Sequence, residues 1–263
     1  MITAKEESVV YFLFKRVFRQ LLYVLLWLLL GGIVFPMILS FMTGANYSLV
    51  EAIKNITLGP MLYIIVGCLA LLSYSDFKIL IQNGVSRHTY WKAKVIAFLG
   101  ISTLGQVIGI LYAFLLKLTL NGVSWEKFSL FMLIYGGFFK NTTVAYLVSF
   151  LFAILSSFVF SLTCILIGSV FSLFTKKQRR LIFLALITLF IVGIVTIADS
   201  YDRYGFKVSF RIINMLNFLA GYDQNSAGKT LNPTMPFIDL IVAGVLSSIC
   251  SLWVMKHFKI RNE

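Results

Sequence analysis

Six long apolar blocks divide this chain of 263 residues and limit what it can fold into. A helix needs about 20 mostly apolar residues, at about 1.5 Å each, to cross a bilayer. The blocks run over residues 21–43, 58–74, 95–116, 144–174, 181–198 and 237–255. The second and fifth are short for a span, and the fourth is long enough to tilt or to extend beyond the lipid. We therefore predict an all-α, polytopic membrane protein with six transmembrane helices.

Composition supports the same class. Hydrophobic residues make up 59% of the chain and charged residues only 13%, whereas soluble domains are about 45–50% apolar and about 25% charged. A water-soluble fold of this size could not bury so much apolar surface. We expect residues 1–263 to form one transmembrane domain.

The basic residues predict the orientation. With the N-terminus in the cytoplasm, 15 of the 23 Lys and Arg residues fall in inner segments, as the positive-inside rule requires. Both termini are then cytoplasmic, and we expect the protein in the plasma membrane of a bacterium. The net charge of +13 indicates topology and attraction to anionic lipid. It does not indicate nucleic-acid binding, because no basic stretch outside the membrane is interleaved with aromatic residues that could stack on bases.

An amphipathic segment precedes the first block. In residues 8–20, apolar side chains can face lipid while Lys15, Arg16 and Arg19 face water and headgroups. The apolar positions are Val9, Val10, Phe12, Leu13 and Val17. We predict an interfacial helix over residues 8–20; the alternative is a cytoplasmic extension of the first membrane helix.

Two outer segments are apolar but too short to cross. Residues 125–139 have a clean apolar core of only about 12 residues, which predicts a half-buried or re-entrant segment. The long outer loop 199–236 contains a patterned stretch, 209–222, that predicts a short helix on the outer face. In the third block, Gly105 and Gly109 form a GxxxG pattern, which allows either a dimer seam or close packing within one bundle.

The sequence gives no sign of catalysis. The spans contain almost no ionisable groups, which indicates that any energy the protein uses arrives from another subunit; a passive role stays open. We predict no catalytic residues and no metal site, because His88 and His257 are isolated from other ligands. Gly228-Lys229-Thr230 is not a phosphate-binding loop, since the pattern requires Gly where Asp223 stands. We therefore expect no cofactor bound by this chain.

The cytoplasmic loop 75–94, between the second and third blocks, is the most informative segment. Asp76 suits the start of a short helix, and Asn83-Gly84 suits the left-handed turn that ends one. Ser86 is a good N-cap for the next helix. The short helix has four apolar residues: Phe77, Ile79, Leu80 and Ile81. We expect them to form an exposed apolar face that requires a partner; an ordinary inner loop with a turn is the alternative.

The run Asn83-Gly84-Val85-Ser86-Arg87, followed by Tyr90-Trp91 and Lys94, resembles the first cytoplasmic loop of the ABC-2 type permeases. In that family the short helix is the coupling helix that docks on the ATPase subunit. The resemblance implies that Asp76 to Gln82 is the coupling helix and that Asn83 to Arg87 shape its exit. The implied site residues are Asp76, Phe77, Lys78, Ile79, Leu80, Ile81, Gln82, Asn83, Gly84, Ser86 and Arg87.

The resemblance also implies a function. The chain would be the membrane subunit of an ABC exporter, paired with a second permease subunit, identical or a sister. A separate ATPase subunit would bind ATP and Mg²⁺. Small permeases of this kind are similar to those that export amphipathic peptides such as bacteriocins and phenol-soluble modulins, although the family also handles hydrophobic small molecules. The alternative is a non-transporting immunity or sensor protein that binds peptides through the outer loop.

Overall fold

A computed structural model of the chain describes residues 4–44, 48–50, 53, 56, 58–72, 74–119, 129–204, 210–222 and 231–257. Within this part of the chain every regular element is a helix, so the all-α class is confirmed. The α-helices are α1 (Ala4–Thr43), α2 (Leu58–Leu71), α3 (Tyr74–Gln82), α4 (Arg87–Thr119), α5 (Leu130–Tyr135), α6 (Thr142–Ser172), α7 (Lys176–Tyr204), α8 (Phe210–Leu219) and α9 (Thr234–Lys256). A 3₁₀ turn, Gly136–Phe138, follows α5.

Four helices in the described residues are long and apolar enough to cross a membrane, namely α1, α4, α6 and α9. Helix α2 has 14 residues, a length of about 21 Å, which is less than the hydrocarbon thickness of about 30 Å. Helices α2 and α3 pass the same test only as a pair bent by 48°, which is either one broken span or a re-entrant loop. The fifth predicted block, 181–198, lies within α7.

Helix α1 is continuous across the boundary where we predicted two helices. Its 40 residues extend about 60 Å, twice the hydrocarbon thickness. A separate interfacial helix over residues 8–20 is not confirmed, because these residues are the first part of α1. Val9, Leu13 and Val17, which we expected to face lipid, are buried and lie on the side of α1 that packs on α4. A stripe of apolar residues spaced by four suits a protein neighbour as well as lipid.

Helices α2, α4 and α6 pack together at the centre, with α1 on α4 and α9 on α6. Glycines allow close approach at two points. A Cβ atom on Gly109 would lie 3.1 Å from the Cα of Gly59 in α2. A Cβ atom on Gly168 in α6 would lie 2.3 Å from the carbonyl oxygen of Leu71. The GxxxG pattern of α4 therefore contacts α2 of the same chain, which favours packing within the bundle over a dimer seam.

Helix α7 differs from the other long helices, because within the described residues it takes part in none of the main helix–helix contacts. Its side chains from Leu181 to Val192 are nearly all exposed, with Leu189 at 72% and Phe190 at 68%. An apolar surface of this extent is stable only when lipid or protein covers it.

Helix α5, the residue after α8 and the first turn of α9 meet at one end of the bundle. Phe131 of α5 contacts Phe152 of α6 in a tilted arrangement at 4.9 Å between ring centroids, and Phe152 contacts Phe237 of α9 edge to face at 5.2 Å. Tyr135 donates its hydroxyl to the carbonyl of Ala220, after α8, and burial raises the pKa of Tyr135 above its ordinary value. The short helix expected within 209–222 is present as α8. Residues 125–128 of the first of the two predicted outer segments, and residues 205–209 and 223–230 of the second, lie outside the described part.

Candidate functional site: the α2–α4 corner

The end of α3 has the geometry that the sequence predicted. Gly84 has φ = +73°, a left-handed conformation that glycine adopts without steric cost. The Gly84 N–H donates to the Ile81 carbonyl and the Val85 N–H to the Leu80 carbonyl, both at 3.0 Å. These two bonds form a Schellman motif, and the burial of Val85 and Leu80 supplies its usual apolar contact. The short helix therefore stops at a defined residue.

The start of α4 is equally defined. The Ser86 hydroxyl accepts a hydrogen bond from the Thr89 N–H at 3.0 Å, which satisfies one of the donors left unpaired at a helix N-terminus. Ser86 is thus the N-cap, as predicted. Only Gly84 and Val85 separate this cap from the C-cap residue Asn83. A displacement of α3 must therefore move the N-terminus of α4.

Our expectation of an exposed apolar face on α3 is wrong for two of its four residues. Phe77 is fully buried and Leu80 is 8% exposed. The Phe77 ring contacts the buried Tyr90 ring of α4 edge to face, at 5.4 Å between centroids. The physical reason is that the tight turn folds α3 back on α4, so the larger apolar side chains have a partner within the chain.

The opposite face of α3 and the turn are open. Ile79 is 42% exposed, and Lys78 and Ile81 are half-buried. The exposed residues of this segment are Ser75, Ile79, Gln82, Asn83, Gly84, Ser86 and Arg87. We call α3 and the turn into α4 the corner, and we call these seven residues its exposed face. It is mostly polar, with one apolar side chain near its centre.

Asp76 is not a simple helix-terminal carboxylate, because it is buried and paired. Its Oδ1 lies 2.7 Å from a guanidinium nitrogen of Arg16 in α1, and it accepts the Ser75 hydroxyl at 3.3 Å. On the same side of the bundle, Lys94 of α4 is buried and donates to the Ala70 carbonyl of α2 at 3.2 Å. The corner therefore joins α1, α2, α3 and α4 through buried charges.

Sequence reasoning missed Arg16 and Lys94 as partners in this cluster. A signal was present in the sequence: Asp76 is the one acidic residue between Glu51 and Glu126, directly after an apolar block. A lone carboxylate in that position requires a cation near it.

Further bonds connect the corner to both ends of the chain. Lys5 of α1 donates to the Gly84 carbonyl at 2.8 Å. Arg87 donates to the Lys256 carbonyl at the end of α9, and Trp91 Nε1 donates to the Ser251 hydroxyl at 3.0 Å. A displacement of α3 would therefore reach α1 through the pair between Asp76 and Arg16, and it would reach α9 through α4.

Comparison of the chain with protein-family models, with curated proteins and with solved structures finds no match. In the described residues no group of three or more His, Cys, Asp or Glu side chains could hold a metal ion. The described residues of the corner offer contact and mechanical connection between helices.

Proposed function

We propose that this chain is the membrane subunit of an ATP-driven exporter and that α3 is its coupling helix. It has six transmembrane helices, with α7 as the fifth, and both termini in the cytoplasm of a bacterial cell. The chain is not an enzyme. ATP and Mg²⁺ bind to a separate ATPase subunit, and a second permease subunit completes the translocation path for an amphipathic peptide or hydrophobic small molecule.

One observation carries the proposal: a short helix is fixed between two membrane helices by tight caps while the exposed face of the corner stays uncovered. Such a helix transmits a push because its inner face is packed through Phe77 and its charge is paired through Arg16. A loop that only connected two spans would have no need of a buried ion pair, which is costly to desolvate.

The mechanism is mechanical. A docked ATPase subunit would contact Ile79, Gln82 and Asn83, and its ATP-driven closure would displace α3. The Schellman turn and the Ser86 cap would pass that displacement to α4, and Arg87 would pass it to α9. Since α4 and α9 both pack on α6, the opening of the path on the inner side would change with the state of the ATPase.

The test is co-purification of candidate ATPase subunits with the chain, together with ATPase activity, for wild type and Ile79→Asp. A carboxylate buried in a docking contact costs several kcal/mol, enough to abolish a micromolar complex worth about 8 kcal/mol. Because Ile79 is exposed in the chain itself, the variant should insert and fold normally.

Tyr11→Asp is the matched control, because Tyr11 is an exposed residue, 64% accessible, on the cytoplasmic part of α1. It should keep the ATPase subunit bound. If no ATPase subunit associates with wild type in mild detergent or nanodiscs, the exporter proposal fails. The non-transporting immunity or sensor protein, which binds peptides at the outer loop, then becomes the better account.

A further inference from the structure

A groove of about 360 Å³ lies between α6 and α9, with Val95 of α4 at its edge. Its walls are apolar, and they include Leu155 and Phe158 from α6 and Val245 from α9. Ile241, Val245 and Ile249 on the α9 wall are 54%, 52% and 61% exposed. The groove therefore opens sideways, toward the lipid that surrounds the bundle.

The groove leads to basic side chains at one end of the helices. Along α9, residues Ile241, Val245, Ile249 and Leu252 share one face with Lys256, because they follow the three- and four-residue spacing of a helix. On α4, Val95 shares a face with His88 and Lys92 for the same reason. Lys256, Lys92 and His88 are all exposed.

The charge at this end is strongly positive. Arg87 donates to the Lys256 carbonyl, so the N-terminus of α4 and the C-terminus of α9 lie side by side. The Trp91 ring stacks on His88, and the Trp253 ring lies 4.8 Å from the His257 ring. Within the described residues, a carboxylate that faces this group is that of Glu6, 3.8 Å from the Lys92 ammonium. Tryptophan beside basic residues is typical of the headgroup level of a membrane.

The length of this surface matches one leaflet. From Ile241 to Lys256 the helix rises 15 residues, or about 22 Å. One leaflet, including its headgroups, measures about half of the 40–45 Å bilayer. A lipid with its tail in the groove would therefore place its headgroup beside Lys92 and Lys256.

We propose that this groove binds one anionic phospholipid of the inner leaflet, with an acyl chain between α6 and α9 and the phosphate beside Lys92, Lys256 and His88. The inference rests on the proposed cytoplasmic position of the α9 C-terminus, and it is independent of transport. A zwitterionic lipid would fit the groove but gain little from the basic end. A second copy of this chain is a less favourable occupant of the groove, because it would place the same basic residues near each other.

The test is native mass spectrometry of the full chain in a neutral detergent, titrated with dioleoyl phosphatidylglycerol or dioleoyl phosphatidylcholine. Wild type should retain one phosphatidylglycerol per chain in preference to phosphatidylcholine. Each lysine near an anionic surface contributes roughly five-fold in affinity. Lys92→Gln/Lys256→Gln should therefore weaken phosphatidylglycerol binding about 20- to 30-fold and leave phosphatidylcholine binding unchanged.

Two further variants keep the proposal open to refutation. Val245→Trp fills the groove without touching the charges and should lower the binding of both lipids. Lys140→Gln/Lys177→Gln removes two exposed lysines away from the groove and should have no effect. Equal binding of the two lipids by wild type, or an equal loss in this control, would overturn the proposal. So would a Val245→Trp variant that changes the oligomeric state and keeps phosphatidylglycerol.

Discussion

At the scale of single residues, the pair between Arg16 and Asp76 is the interaction that the corner most depends on. Both side chains are largely shielded from water, with 26% and 10% exposed. Asp76→Asn removes the carboxylate and leaves the guanidinium without its counter-charge, which costs about 3 kcal/mol. We expect the apparent melting temperature in detergent to fall by about 5–10 °C, measured by intrinsic fluorescence.

A double variant separates the charge from the packing. Arg16→Met/Asp76→Leu removes both partners, and apolar replacement of a whole buried pair is often close to neutral. It should therefore melt above Asp76→Asn. Lys92→Gln breaks the longer, more exposed pair with Glu6 and should shift stability by less than about 1 kcal/mol. If Asp76→Asn behaves like Lys92→Gln, the buried pair is not a stabilising contact.

Gly84 gives a second prediction at this scale. Its φ of +73° is unfavourable for a residue with a Cβ atom, although the space around it is open. Gly84→Ala should therefore cost about 1–2 kcal/mol through the backbone alone. Gly193→Ala in α7 also meets open space, but with ordinary helical geometry, so it should be neutral or slightly stabilising. Equal melting temperatures for the two variants would show that the turn does not require a left-handed residue.

The sequence predicts local features of the corner better than its packing. The Gly84 turn and the Ser86 cap depend on residues within a few positions of each other, and both were predicted correctly. The burial of Phe77 and the pairing of Asp76 depend on α1 and α4, which are distant in sequence. Local composition therefore suggested an exposed apolar face, where the folded chain exposes Ile79 and covers Phe77.

At the scale of helices, a close contact holds the end of α2 against α6, shortly before α3 begins. Gly168 allows the carbonyl of Leu71, at the end of α2, to approach α6 closely. Gly168→Ala would place a Cβ atom 2.3 Å from that oxygen, so α2 must move, at a cost of about 1–3 kcal/mol. We expect a lower melting temperature than for Gly193→Ala and weaker coupling of ATPase activity to the membrane subunit.

Helix boundaries show the same limit of sequence reasoning. The charges of residues 8–20 suggested a separate interfacial helix, yet no Pro or Gly interrupts the chain before Gly31. Nothing breaks the helix, so α1 continues, and the partner for its apolar stripe is α4. The stripe itself was recognisable in the sequence; which surface covers it was not, because lipid and a protein neighbour favour the same residues.

At the scale of the whole molecule, the number of spans fixes which segments lie on the same side of the membrane as α3. Helix α7 is the span that packing supports least, because within the described residues it takes part in none of the main helix–helix contacts. With α7 as a span, Lys177 in its first turn and Asn214 in α8 lie on opposite sides of the membrane. Both residues are exposed, so each is a suitable position for a reporter.

We expect a membrane-impermeant maleimide to label Asn214→Cys and not Lys177→Cys in intact cells, in a background where Cys68, Cys164 and Cys250 are alanine. Lys177→Cys should react once the cells are opened, as should Ser86→Cys at the corner. The result has a structural consequence for coupling. If both positions are labelled from the outside, α7 does not cross and the segment between α6 and α7 is external. The positive charges of residues 176–180 would then oppose the positive-inside rule, and the inward end of α6 could not lie beside α3.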